Sequence, residues 1–241
     1  ATRSPPTVAS TSSEVVDLRA TATIDVPQAL ATVHDRLPVG ALVRVRFAAD
    51  AGGSLVDDLV EGAGFVWRDR AARIVERART LPDRVGPGLR VLVCGLNPSL
   101  YAADAGVGFA RPGNRFWPAA LASGLVTVDR EPRHALEVHR VGATDLVKRA
   151  TARADEVDRA EFVRGAARVD RLCRLLEPRV LCVVGITGWR AAVDKSARTG
   201  WQPLEIGATA VYVMHNPSGL NAHATPAALA AALREVAERA G

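Results

Sequence analysis

Cysteine, lysine and long apolar runs are scarce in this chain, and each scarcity removes a class of protein. The three cysteines, Cys94, Cys173 and Cys182, are odd in number, far apart and never in a CxxC pair. They read as small buried hydrophobes rather than metal or redox groups. A cysteine-ligated iron–sulfur cluster needs about four such ligands and is excluded. No apolar run approaches the ~18 residues that cross a bilayer. The opening stretch, residues 1–13, is rich in Pro, Ser and Thr and lacks the apolar core of a signal peptide. A cytoplasmic, non-secreted protein is the expectation. No internal repeat, coiled coil or Gly-rich phosphate loop is present.

What remains is the balance of a globular protein: 241 residues, 48% hydrophobic and 24% charged. That length suits one large domain, or one domain with an appendage. Residues 1–88 carry 11 Arg against 11 Asp and Glu, whereas residues 89–241 carry 20 basic against 15 acidic side chains. The whole excess of +5 therefore lies in the second part. A basic region beside a neutral one suits a polyanionic partner. The alternative is a compositional bias towards arginine, since 29 of the 31 basic residues are Arg.

Residues 1–13 read as a disordered tail. Residues 14–80 read as a small α/β segment, with helices over Pro27–Leu37 and Ser54–Gly62 and strands over Ala41–Ala48 and Phe65–Trp67. A charged helix over Asp69–Thr80 completes it. This part loosely resembles the closing segment of a methyltransferase-like domain, with Gly62-Ala63-Gly64-Phe65 before a strand, but is too short to hold that fold's cofactor site. Residues 81–88, with two Pro and two Gly, read as a linker. From residue 89 strands (89–94, 179–184, 210–214) alternate with helices (115–123, 158–177, 187–197, 225–239). That pattern predicts an α/β domain over residues 89–241, a mostly parallel central sheet with helices on both faces.

Chemistry concentrates in three segments. The first, Gly95-Leu96-Asn97-Pro98-Ser99-Leu100, closes an apolar strand, where open α/β sheets place ligands. The second is Gly108-Phe109-Ala110-Arg111-Pro112-Gly113-Asn114-Arg115-Phe116-Trp117. The third, His215-Asn216-Pro217-Ser218-Gly219-Leu220, also follows a strand. Together they resemble the signature segments of the mismatch-specific uracil and thymine DNA glycosylases of the uracil-DNA glycosylase superfamily. That pattern reads G-I-N-P-G, then P-x-N-x-F-W, then N-P-S-G-L, in the same order. The resemblance covers roughly residues 88–240.

The resemblance implies a monofunctional DNA glycosylase that needs no metal or cofactor. It would extrude a mispaired or damaged base from double-stranded DNA, wherever genomic DNA is kept, and hydrolyse its N-glycosidic bond. A monomer without membrane contact is expected. Asn97 takes the catalytic position, and its amide would hold the attacking water. Asn216 and backbone N–H groups near Phe109 would stabilise the leaving base. Leu96, Ser99, Phe109 and Asn114 would form the base pocket, with Phe109 stacking on the base. Ser218, Gly219, Leu220 and Asn221 would meet the DNA, Leu220 as the wedge that fills the vacated stack.

Three residues depart from the pattern. His215 is expected to point away from Asn216. Asp104 is a candidate water-activating carboxylate, with Asp145 a second. Ser99 replaces the family's glycine, and its small side chain suggests uracil opposite guanine as substrate, with side activity on 5-substituted or ethenocytosine bases. The two lysines, Lys148 and Lys195, lie outside the segments, which argues against Schiff-base lyase chemistry. A non-catalytic DNA-binding module and a small-cofactor enzyme built on residues 1–88 are the rival readings.

Overall fold

The computed structural model describes residues 14–48, 53–219, 221 and 224–241, with no side chain described for Ala154. The expected tail at 1–13 and the wedge residue Leu220 lie outside the described residues. The chain forms two sheets. The first unit runs β1 (Val15–Asp17), α1 (Val26–Arg36), β2 (Leu42–Arg46), α2 (Gly53–Gly62), β3 (Phe65–Asp69) and β4 (Ile74–Arg77). Its strand order is β1-β2-β4-β3, with β1 parallel to β2 and the other pairs antiparallel. Leu30, Val33, Val56 and Val60 of the helices pack with Val43, Val45, Phe65 and Val75 of the strands. Arg44 and Arg46 alternate outward, so this sheet is covered on one face.

The charged helix expected over 69–80 is absent. Its residues make the end of β3, a turn in which Arg73 adopts φ 58°, and β4. Arg and Ala favour helix locally, but Val75, fully buried, is held between the ladders to β2 and β3. Tertiary burial overrides that weak preference. The expected linker is packed rather than loose: Leu81, Pro82, Asp83 and Val85 are buried, and Arg84 bridges to Ala143.

The second sheet runs β5 (Val91–Gly95), α3 (Leu100–Ala105), α4 (Phe116–Ala122), α5 (Pro132–His139), β6 (Val141–Asp145), α6 (Arg159–Leu176), β7 (Val180–Val184), α7 (Ile186–Ala192), β8 (Gly200–Ile206), β9 (Thr209–Met214) and α8 (Pro226–Arg239). The order is β6-β5-β7-β9-β8, and all neighbours are parallel except β8 and β9. Alternate residues serve opposite layers. Leu92, Cys94, Leu181 and Val183 meet α6 and α7, while Val91, Val93, Cys182 and Val184 meet α4 and α8. The predicted α/β architecture is therefore the observed one, with both faces of a mostly parallel sheet covered by helices.

Strands β6 and β8 were not legible. Val-Gly-Ala-Thr-Asp is too polar to read as a buried strand, and β8 carries Pro203, which an edge strand tolerates. All three cysteines are buried free thiols. Burial pushes Cys173 and Cys182 up to about 12 and Cys94 well above the ordinary thiol range, so none is nucleophilic at neutral pH.

Candidate active site

The carboxyl ends of β5, β6 and β9 open into a cleft of about 600 Å³. Asn97, Ser99, Phe109, Asn114, Asn216 and Ser218 all line it, so the three segments read from the sequence meet there. Arg115 ties two of them together. Its backbone N–H donates to Pro217 O (2.9 Å), and its guanidinium donates to Gly219 O (3.1 Å) and Ala224 O (2.7 Å). Gly219 must be glycine, because a Cβ there would stand 2.7 Å from Gly113 O.

The two asparagine amides are fixed in opposite senses. Asn97 Nδ2 donates to Thr151 Oγ1 (2.7 Å) and lies 3.2 Å from Arg149 O and from Pro98 O. Its Oδ1 accepts no hydrogen bond among the described residues. Asn216 does the reverse: its Oδ1 accepts from Ser218 N–H (3.0 Å), and no bond from its Nδ2 is formed among the described residues. One amide thus presents an acceptor and the other a donor. Asn114 also turns its Oδ1 inward, to Phe116 N–H (2.9 Å).

Phe109 adopts φ 58°, unusual for a non-glycine residue. Its ring stacks on Phe116, with centroids 4.3 Å apart. Phe116 and Trp117 are buried, and Trp117 Nε1 donates to Gly108 O at 2.8 Å, which anchors the residue before Phe109. Leu96 borders the cleft, but its side chain packs against Gly185 and Gly188. Ser99 Oγ caps α3 by accepting from Ala102 N–H (3.1 Å). Asn221 Nδ2 donates to Asn216 O (3.1 Å) and braces the third loop. His215 is half-buried and does not border the cleft.

The two carboxylates part ways. Asp104 sits on α3 and does not border the cleft that Asn97 lines. Arg79 grips it at two points, Nε to Oδ1 (2.7 Å) and Nη2 to Oδ2 (2.6 Å). Those bonds hold its exposed carboxyl below the usual range. Asp145, at the end of β6, does border the cleft. It lies so close to Gly95 that a side chain there would collide with Oδ1. Burial pushes its carboxyl up to about 6 against the pull of Lys148, with Asp83 adding to the rise.

Behind Asp145 lies a buried ionic cluster. Asp83 accepts from Lys148 Nζ (2.8 Å), Thr144 Oγ1 (2.7 Å) and Arg168 Nη1 (2.7 Å), and Arg168 Nη2 donates to Asp145 O (2.6 Å). Burial opposes the Asp83 charge, but Arg168 and Lys148 outweigh it and hold the carboxyl below its ordinary value. Lys148 is therefore a counter-charge within the fold. Among the described residues, no group of three or more His, Cys, Asp or Glu could hold a metal ion.

Sequence reasoning missed Thr151 and gave second place to Asp145. Both fall in Thr144-Asp145-Leu146-Val147-Lys148-Arg149-Ala150-Thr151, a stretch that runs beside β5 and the first segment. Leu146 N–H donates to Gly95 O and Val147 N–H to Leu96 O, both at 2.9 Å. The available signal was the acidic side chain of Asp145 at the end of Val141–Asp145, a short stretch that lies between two helical patterns. Arg111, at the cleft, has no ion-pair partner among the described residues and suits a phosphate.

A mostly parallel α/β sheet with a polar cleft at its strand ends, walled by amides and an aromatic ring, has the form of an enzyme's ligand site. Residues 82–237 match the family model of the uracil DNA glycosylase superfamily, and the chain belongs to that superfamily. Membership implies a DNA glycosylase, a hydrolase that acts on DNA in repair.

Proposed function

We propose that this protein is a mismatch-specific glycosylase that removes uracil, preferentially opposite guanine, from duplex DNA by hydrolysis. The observation that carries this reading is the pair of oppositely fixed amides, Asn97 and Asn216, facing one cleft. Asn97 Oδ1 accepts a hydrogen bond from water and orients it towards the anomeric carbon. Asn216 Nδ2 donates to the departing base, where negative charge develops. Phe109 supplies an apolar face for the extruded base. The Asp145 carboxylate, rather than that of Asp104, balances positive charge on the sugar. Ser99, small and turned to its capping role, leaves space for 5-substituted or ethenocytosine bases as side substrates.

Base release from duplexes carrying uracil opposite guanine, uracil opposite adenine and thymine opposite guanine tests the reading. Release should be fastest from uracil opposite guanine, and Asn97→Ala should lower it about a hundredfold or more. Duplex binding without release from any of them would overturn catalysis and leave a DNA-binding module.

A further inference from the structure

Thr151 belongs to none of the three recognised segments, yet it is wired into the first. Its N–H donates to Pro98 O (3.1 Å) and its carbonyl accepts from Leu100 N–H (3.1 Å). Ser99 and Thr151 form an isolated parallel bridge. The side chain is buried between these contacts, 4% exposed. Thr151 Oγ1 donates to Arg153 O at 2.7 Å and stands 2.7 Å from the Asn97 amide.

A hydroxyl has one proton. Here it is committed to Arg153 O, so only a lone pair can face Asn97. The carbonyls of Arg149 and Pro98, both 3.2 Å from the same amide nitrogen, are acceptors too. An amide oxygen turned towards this wall would meet three acceptors and no donor. The network therefore decides which end of the amide is which.

We propose that Thr151 is a positioning residue for hydrolysis, locking the Asn97 amide so that Oδ1 accepts from the attacking water. The proposal rests on the reading of Asn97 as the group that holds that water. Orientation matters because a water that donates to Oδ1 keeps its lone pairs for attack. A flipped amide would donate into those lone pairs and quench the nucleophile.

The test is a double-mutant cycle on uracil–guanine duplex under single-turnover conditions, in the full chain, with thermal unfolding followed for each variant. Thr151→Val should lower the rate of base release about 10- to 100-fold. The half-saturating enzyme concentration should stay within about threefold, because the loss lies in the chemical step. Thr151→Ser, which keeps the hydroxyl, should restore most of the rate. In an Asn97→Ala background, Thr151→Val should cause no further loss, since the amide it acts through is gone.

An equal loss in both backgrounds, no loss in either, or failure of Thr151→Ser to rescue would overturn the proposal. Should Thr151→Val not fold, Thr151→Ala takes its place in the cycle. Wild-type protein that releases no base would bring down the parent reading and this one together. Release that ignores Thr151→Val brings down this one alone.

Discussion

The two sheets bury their titratable groups to opposite ends. In the four-stranded unit His34 is packed edge-on against Phe65, with neither ring nitrogen hydrogen-bonded among the described residues and the Asp35 carboxylate 3.8 Å from Nδ1. Burial, with Arg77 nearby, drops it to about 4, so it is a neutral packing residue at physiological pH. In the five-stranded sheet Asp145 is also buried, but it stands at a strand's carboxyl end and borders the cleft. Both groups pay a desolvation penalty when charged; only one is placed where a charge meets substrate. Perturbed titration is thus a pointer to function only when the group has access to a cleft.

The largest expected effect is on the junction between the sheets. Asp83→Asn leaves Lys148 and Arg168 buried without their counter-charge and should cost about 3–5 kcal/mol in denaturant unfolding. A smaller loss would show that the two regions are less strongly joined than the cluster indicates.

Asp145→Asn should separate stability from activity. A folded carboxyl at about 6 against an ordinary 3.8 destabilises the fold once it ionises: the penalty grows as pH rises from 3.8 and is complete above about 6. Removing the charge should stabilise the protein by about 3 kcal/mol at pH 8 and by almost nothing at pH 4. The same variant should lower base release about a hundredfold, and the wild-type rate should rise with pH through about 6. Unfolding curves at the two pH values, together with a pH–rate profile, check both halves.

His34 carries the opposite sign. Its folded value of about 4 lies below the ordinary 6.5, so stability is intact above 6.5 and falls as pH drops towards 4, by about 3 kcal/mol in all. His34→Leu should remove that acid slope and leave base release unchanged at neutral pH, as measured by unfolding from pH 7 to pH 4. The smallest effect belongs to Asp104. Asp104→Asn breaks an exposed ion pair with Arg79 and should change kcat/KM by about twofold or less. A loss approaching that of Asn97→Ala would return Asp104 to the catalytic centre and break the contrast drawn between the two carboxylates.

Much of the second sheet was legible because its inner strands are continuous apolar runs and its long helices carry clear signals. Helix α6 begins at a capping box formed by Asp158 and Glu161, and α8 begins at Thr225-Pro226. The β3–β4 hairpin was not, because an Arg- and Ala-rich stretch favours helix until Val75 finds its place between neighbouring strands. The packing of residues 81–85 was hidden for a similar reason: Pro and Gly mark turns, and nothing local tells a loose turn from a buried one.

The sequence by itself determined the α/β class, from its alternation of apolar strands and helices, and the resemblance of three segments, in order, to the superfamily's signatures pointed to Asn97, Phe109 and Asn216. Only the tertiary structure decided that Asp145 and not Asp104 borders the cleft, and that Asn97 and Asn216 present opposite ends of their amides. It also brought Thr151 to Asn97. These depend on partners 54 residues away for Asn97 and 25 for Asp104. A hydrogen bond's direction is set by the donors and acceptors that folding brings within about 3 Å, and no local pattern carries that information.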